Sequence, residues 1–193
     1  MAFRYEIRLS GSGGQGLILV GKVLAEAAAI YDGLNATQSQ SYGPEARGGA
    51  SRSEVIISDG DIDYPKAENI DILLALTQEA CDKYIGDLKE GGILIIDSQM
   101  VTKIPEGNFQ VVAVPIIQSA VERLGKFLVS NIIALGIIIK LSGIVSEDSI
   151  KHAIRSRVPK GTEEINIKAF YTGIDLAQNW LDQHGPLKYG RDK

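Results

Sequence analysis

The 193-residue sequence predicts an α/β fold: a three-layer, doubly wound, mostly parallel sheet with an inserted hairpin and a helical C-terminal third. Three observations lead there. A strand-like stretch at 5–9 runs through a glycine-rich turn into an apolar helix, the first step of an alternating α/β chain. Continuous apolar runs at 72–76 and 93–96 suit strands covered on both faces of a parallel sheet. After Pro115 every segment reads as helix.

The elements follow in order. The turn 11–16 opens a helix over 17–31, and Gly33 is placed as its C-terminal stop. Lys22 and Glu26 are that helix's only charges and stand four residues apart, so more than one of its faces is covered. A second strand is predicted at 34–40, followed by a stretch at 41–50 too rich in Gly and Pro to be regular. Residues 51–57 then turn at Asp59-Gly60-Asp61 into 62–64, which makes the inserted hairpin. Alternation resumes with the strand at 72–76, an amphipathic helix over 78–89 stopped by Gly91-Gly92, the strand at 93–96 and a further strand at 111–114. The helical third comprises 117–124, 127–141, 147–157 and 163–182, with Ser146 and Thr162 as N-caps ahead of acidic first turns. No linker or repeat divides the chain, so 1–184 is expected to form one domain and 185–193 a loose tail.

Composition narrows the function classes. With 45% hydrophobic and 23% charged residues the chain can bury a sizeable core. A net charge of -4 supplies no basic field for a phosphate backbone, which argues against a nucleic-acid partner. The single cysteine, Cys81, can form no internal disulfide and cannot supply the four thiolates of an iron–sulfur cluster. The apolar run 127–141 contains Ser130, Asn131 and Lys140 and falls short of the ~20 residues of a membrane span, so it is expected to be a helix buried on most sides. The N-terminal residues have no signal-peptide core, and a cytoplasmic protein without membrane contact is expected.

Gly11-Ser12-Gly13-Gly14-Gln15-Gly16 satisfies G-x-G-x-x-G between a strand and a helix. A dinucleotide site also needs an acidic residue near the end of the second strand, and 36–40 has none. Two readings remain. The helix start can hold a phosphate, pyrophosphate or carboxylate, or the glycines merely permit a tight strand-to-helix crossing.

Taken together, the glycine turn opening the alanine-rich helix, the run Gln40-Ser41-Tyr42-Gly43-Pro44-Glu45-Ala46-Arg47-Gly48-Gly49-Ala50-Ser51-Arg52-Ser53-Glu54-Val55, and Asn131 followed by Gly136 in an apolar helix carry a family likeness. From about residue 7 to about 175 the sequence resembles the gamma subunit, or gamma domain, of the 2-oxoacid:ferredoxin oxidoreductases. Its loop is more like that of the 2-oxoglutarate and general 2-oxoacid members than that of the pyruvate members, although enzymes for branched-chain 2-oxoacids and indolepyruvate have similar subunits. The resemblance implies decarboxylation on magnesium-bound thiamine diphosphate, electron transfer through iron–sulfur clusters to ferredoxin, and acyl capture by coenzyme A. The sequence has no Gly-Asp-Gly motif for thiamine diphosphate and no cysteine cluster. No cofactor is therefore expected on this chain alone. Alpha and beta subunits are the implied partners, a ferredoxin-like delta subunit is a further candidate, and coenzyme A is a candidate ligand at their interface. A stand-alone nucleotide-binding oxidoreductase is the rival from another class.

The candidate binding residues are Gly11, Ser12, Gly13, Gly14, Gln15, Gly16, Tyr42, Glu45, Arg47, Gly48, Gly49 and Arg52; no catalytic residue or metal ligand is assigned. Arg47 and Arg52 either grip anions bidentately or pair with Glu45 and Glu54. Tyr42 either stacks on a ligand or a facing chain, or anchors its own loop. Asn131 is expected to brace a neighbouring loop, Cys81 to be no nucleophile, and His152 and His184 to lie on the surface.

Overall fold

The computed structural model describes residues 3–41 and 50–188. The chain runs β1 (Arg4–Ser12), α1 (Leu17–Glu26), β2 (Asn35–Ser41), β3 (Ala50–Ser58), β4 (Ile70–Ala75), α2 (Gln78–Tyr84), β5 (Leu88–Asp97), β6 (Gln110–Val114), α3 (Ile116–Leu124), α4 (Ser130–Ser142), α5 (Glu147–Arg157) and α6 (Glu163–His184). A six-stranded sheet has the order β2-β3-β1-β4-β5-β6. The pairs β1–β4, β4–β5 and β5–β6 are parallel, whereas β3 is antiparallel to both β1 and β2.

Helices cover both faces, as expected, but unequally. One face buries Leu17, Val20 and Leu24 of α1 together with the apolar residues of α3 to α6, and the other is covered by α2 through Ala80, Cys81 and Tyr84. Strand β4 is buried at every position, which explains its unbroken apolar run. The opposite case is β1, where the alternation of 5–9 places Glu6 and Arg8 on the α2 face, 3% and 2% exposed. Helix α4 packs against α1, α3 and α6, and Ser130 through Ile139 are all buried. Among the described residues no helix is long and apolar enough to cross a membrane.

The hairpin is real but its second arm is not 62–64. Its arms are β2 and β3, paired from Asn35↔Ser58 to Ser41↔Arg52. This pairing lets Val55 and Ile57 join the larger core, while several backbone groups of the 59–69 crossover bond side chains. Glu6 Oε2 accepts from the amides of Glu68 and Asn69 at 2.7 and 2.8 Å, and Arg4 donates to Lys66 O.

The helix expected over 78–89 ends at Tyr84, continues as one 3₁₀ turn over Ile85–Asp87, and gives way to strand at Leu88. Gly91-Gly92 is therefore not a helix stop. It lies inside β5 at a register shift, where β4 advances from Ile70 to Ile72 while β5 advances from Leu88 to Ile93. Gly91 takes φ +75° there and its amide bonds Asn108 O, so the glycines build a bulge.

Glu26 pairs with Arg157 of α5. One smaller expectation also changes. Thr162 makes no cap hydrogen bond with its side chain; its hydroxyl donates to Pro159 O and accepts from Asn166. Ser146 does cap α5, accepting from the Ser149 amide at 3.2 Å. Beyond α6, Leu187 packs on the core and the Lys188 amide donates to Gln110 Oε1, so the stretch expected to be loose is anchored that far.

The α5 cap carries a pH-dependent interaction. Burial pushes the Asp32 carboxyl up, but hydrogen bonds from Ser149 Oγ and from the amide and hydroxyl of Ser146 outweigh burial and hold it below its ordinary value. A depressed folded-state pKa contributes stability above the unfolded value of about 3.9, and that contribution is lost as pH falls through the folded value. In acid titrations followed by circular dichroism, Asp32→Asn should be less stable than wild type at pH 7, with the gap narrowing below about pH 4. A gap that stays constant down to acid unfolding would refute this role.

Candidate functional site

The parallel strands β1, β4 and β5 end on one side of the sheet. The register places Ser12 beside Ala50 and Gly11 beside Ser51, so β3 begins where β1 ends. Tyr42, Glu45, Arg47, Gly48 and Gly49 lie outside the described residues. Their flanks, Ser41 and Ala50, sit at this same end, beside the glycine turn.

Between the turn and β3 opens a crevice of about 250 Å³, lined by residues 12–18 and by Ser51 and Arg52. The predicted turn residues and Arg52 therefore share one site. Their roles differ, because the protein's own side chains already use two of the glycines. Gln15 folds back so that its Oε1 accepts from the Ser12 amide at 2.8 Å, and a Cβ on Gly11 would stand 2.1 Å from that oxygen. Gly16 takes φ +73°, and a Cβ there would stand 2.4 Å from Asn131 Nδ2. For Gly11 and Gly16 the tight-crossing reading thus holds. Nothing lies within 4 Å of a Cβ built on Gly13 or Gly14, so only these two leave the backbone open for a ligand's close approach.

Asn131 braces the turn as expected. Its Nδ2 donates to Gly16 O at 3.2 Å across 115 residues, and its Oδ1 accepts from the Ile132 amide. In the turn before α4, Phe127 and Leu128 are 45% and 74% exposed.

Arg52 stands at 3.6 Å from Glu54 Oε1. The sequence left open whether that pair would consume it. Glu54 is claimed more closely by Arg8, whose Nε donates to Oε1 at 2.8 Å and whose Nη2 lies 2.7 Å away. A buried guanidinium thus neutralises the carboxylate, and Arg52 keeps donor capacity. Arg8, Glu54, Glu79 and Tyr84 were not among the sequence candidates. For Arg8 and Glu54 the signal was charge at alternate positions of β1 and β3, which a half-exposed strand would explain equally well; for Glu79 and Tyr84 on α2 there was none.

Cys81 is buried in α2, and burial, aided by Asp82, pushes its thiol up to about 11. Such a thiol is no nucleophile at neutral pH. His152 and His184 are exposed and stack on Tyr31 and Trp180.

The geometry departs from a dinucleotide fold. There the strand after the first helix runs parallel beside β1; here that neighbour is the antiparallel β3, and β2 lies at the edge.

Known proteins share this arrangement. The gamma subunit of a keto/oxoacid ferredoxin oxidoreductase from Geobacter sulfurreducens superposes with a TM-score of 0.83 at 58% identity, over 91% of this chain and 99% of that one. The 2-oxoglutarate synthase subunit KorC of Methanocaldococcus jannaschii is 51% identical over 91% of this chain and 95% of its own length. At 24% identity and a TM-score of 0.81, the 2-oxoglutarate:ferredoxin oxidoreductase of Magnetococcus marinus, solved with 2-oxoglutarate, coenzyme A and succinyl-CoA bound, shares the fold over 31% of its chain. Residues 6–176 match the family model described as pyruvate ferredoxin/flavodoxin oxidoreductase, and with half its residues shared end to end with a separate subunit of that kind, the chain belongs to this family.

Proposed function

We propose that this chain is the gamma subunit of a 2-oxoglutarate:ferredoxin oxidoreductase. It acts in the cytoplasm with alpha and beta subunits, and with a ferredoxin-like delta subunit, as one domain over 1–184. The complex converts 2-oxoglutarate and coenzyme A to succinyl-CoA and CO2 while reducing ferredoxin. The observation that carries this reading is the 51% identity to a 2-oxoglutarate synthase subunit across nearly the whole of both chains.

Within that assembly the chain binds and positions rather than breaks bonds. Its donor set does not suit the metal cofactors: among the described residues no three His, Cys, Asp or Glu side chains converge, and Cys81 is held protonated. The reading assigns thiamine diphosphate, magnesium and the clusters to the partner chains. What this chain offers is an anion site. The open backbone at Gly13 and Gly14, the start of α1 and Arg52 line one crevice, and a guanidinium grips phosphate bidentately. Coenzyme A carries phosphates that fit this chemistry, and Arg47 is assigned to the same ligand. The exposed Phe127 and Leu128 offer apolar surface for a partner.

The assembled complex tests this. Affinity purification of the tagged chain from its native source should bring down thiamine- and cluster-bearing subunits; recovery as a lone monomer would sink the subunit reading. In the complex, Arg52→Ala and Arg47→Ala should each raise KM for coenzyme A about tenfold, the worth of one charge-assisted hydrogen bond, and leave KM for 2-oxoglutarate in place. If neither variant moves KM for coenzyme A, the crevice is not its site.

A further inference from the structure

We propose that Tyr84, at the end of α2, is a positioning residue for Arg52, so that α2 sets the anion affinity of a crevice it does not line; this rests on the reading of that crevice as the coenzyme A site. Two independent contacts point to it. The Tyr84 hydroxyl donates to Ala50 O at 3.3 Å. From the start of α2, Glu79 Oε1 accepts the Ala50 amide, also at 3.3 Å. Helix α2 thus holds both backbone groups of the first residue of β3, and Ser51 Oγ ties the next residue to Gly11 O. Arg52 follows directly. Its guanidinium then lies over the Tyr84 ring, 5.6 Å from the centroid.

The ring matters because Arg52 has a competing place to go. It borders a second cavity of about 380 Å³ that also contains Arg8, Lys66, Glu68 and Asp87. Two carboxylates there, and Glu54 at 3.6 Å, all attract a guanidinium away from the glycine turn. Arg8 and Lys83 crowd the same ring at 5.4 and 5.5 Å. Arg8 is bound to Glu54 and Asp87, so it cannot leave to make room. Tyr84 therefore offers Arg52 an aromatic platform, with an attraction that does not consume its hydrogen-bond donors. A carboxylate in that position would consume them. The ring thereby keeps the cation in place and available.

The test compares variants in the assembled complex, with coenzyme A as the varied substrate. Tyr84→Leu, which removes both platform and hydroxyl, should raise KM for coenzyme A about fivefold. Tyr84→Phe keeps the platform and should raise it about twofold. In both, kcat and KM for 2-oxoglutarate should stay within about twofold of wild type. Because Tyr84 acts through Arg52, neither change should add to the defect of Arg52→Ala. Tyr84→Phe preserves the packing and decides the question alone if the Leu variant does not accumulate. The proposal is overturned if Arg52→Ala raises KM but the Tyr84 variants do not, or if their effects persist undiminished beside Arg52→Ala. Should Arg52→Ala itself leave KM unmoved with Tyr84 intact, the coenzyme A reading fails first and this inference falls with it.

Discussion

Gly136→Ala is expected to cost about 3 kcal/mol or more of stability, and Gly173→Ala about as much. Helices α4 and α6 cross glycine to glycine. A Cβ on Gly136 would stand 2.1 Å from Phe170 O, and one on Gly173 would stand 2.0 Å from Ile133 O. Both obstacles are backbone atoms, so no side chain can rotate away. Alanine in a helix interior is worth about 1 kcal/mol over glycine, which opposes the loss. Overlap wins, because relieving it means separating two helices that enclose the fully buried Ile132, Ile133 and Phe170. At about 2–4 °C per kcal/mol for a domain of this size, the thermal midpoint should fall by about 6–12 °C for either glycine. Calorimetry giving unchanged or raised midpoints would show that the crossing is looser than these distances require.

The second large effect is expected at Arg8. Arg8→Ala should cost about 3–5 kcal/mol, because Glu54, buried between β1, β2 and β3, loses the partner that compensates its charge. Arg8 also bonds Asp87 and packs on the Tyr84 ring, but Asp87 is half exposed and water can replace its share. Part of the loss should be recovered by Arg52 moving onto Glu54, at the expense of the crevice. Arg8→Met combined with Glu54→Leu should return stability to within about 1 kcal/mol of wild type, since removing a buried pair entirely leaves no orphaned charge. Urea unfolding of the two single variants and the double variant measures this coupling. Single variants that lose less than about 1 kcal/mol would show the pair to be solvated and dispensable.

Local and covalent information carried far in this chain. Helix α5 was legible at both ends because Ser146 and the acids after it form a cap within a few residues. The strands β4 and β6 were legible because apolar runs between breakers admit little else. Gly91-Gly92 misled because a glycine pair serves a helix stop and a strand bulge alike, and only the register against β4 distinguishes them. The arm assigned to 62–64 failed for a similar reason: β3 had β2 available as a partner on one side and β1 on the other.

For the site, the sequence singled out the glycine turn and Arg52 as binding candidates and Asn131 as a brace for a neighbouring loop, since motif spacing and residue chemistry are local properties of the chain. It could not say which glycines were spoken for. Gln15 and Asn131 fill the space at Gly11 and Gly16, leaving Gly13 and Gly14 open, and that division depends on where side chains from other turns of the fold come to rest. Nor could it reveal that Arg8 satisfies Glu54 while Tyr84 sits beneath Arg52. By itself the sequence determined the alternation of elements and the chemical types gathered at the strand ends. Tertiary structure alone decided the pairing of charges, because a buried ion chooses its partner by distance and desolvation, and neither exists until the strands and helices have packed.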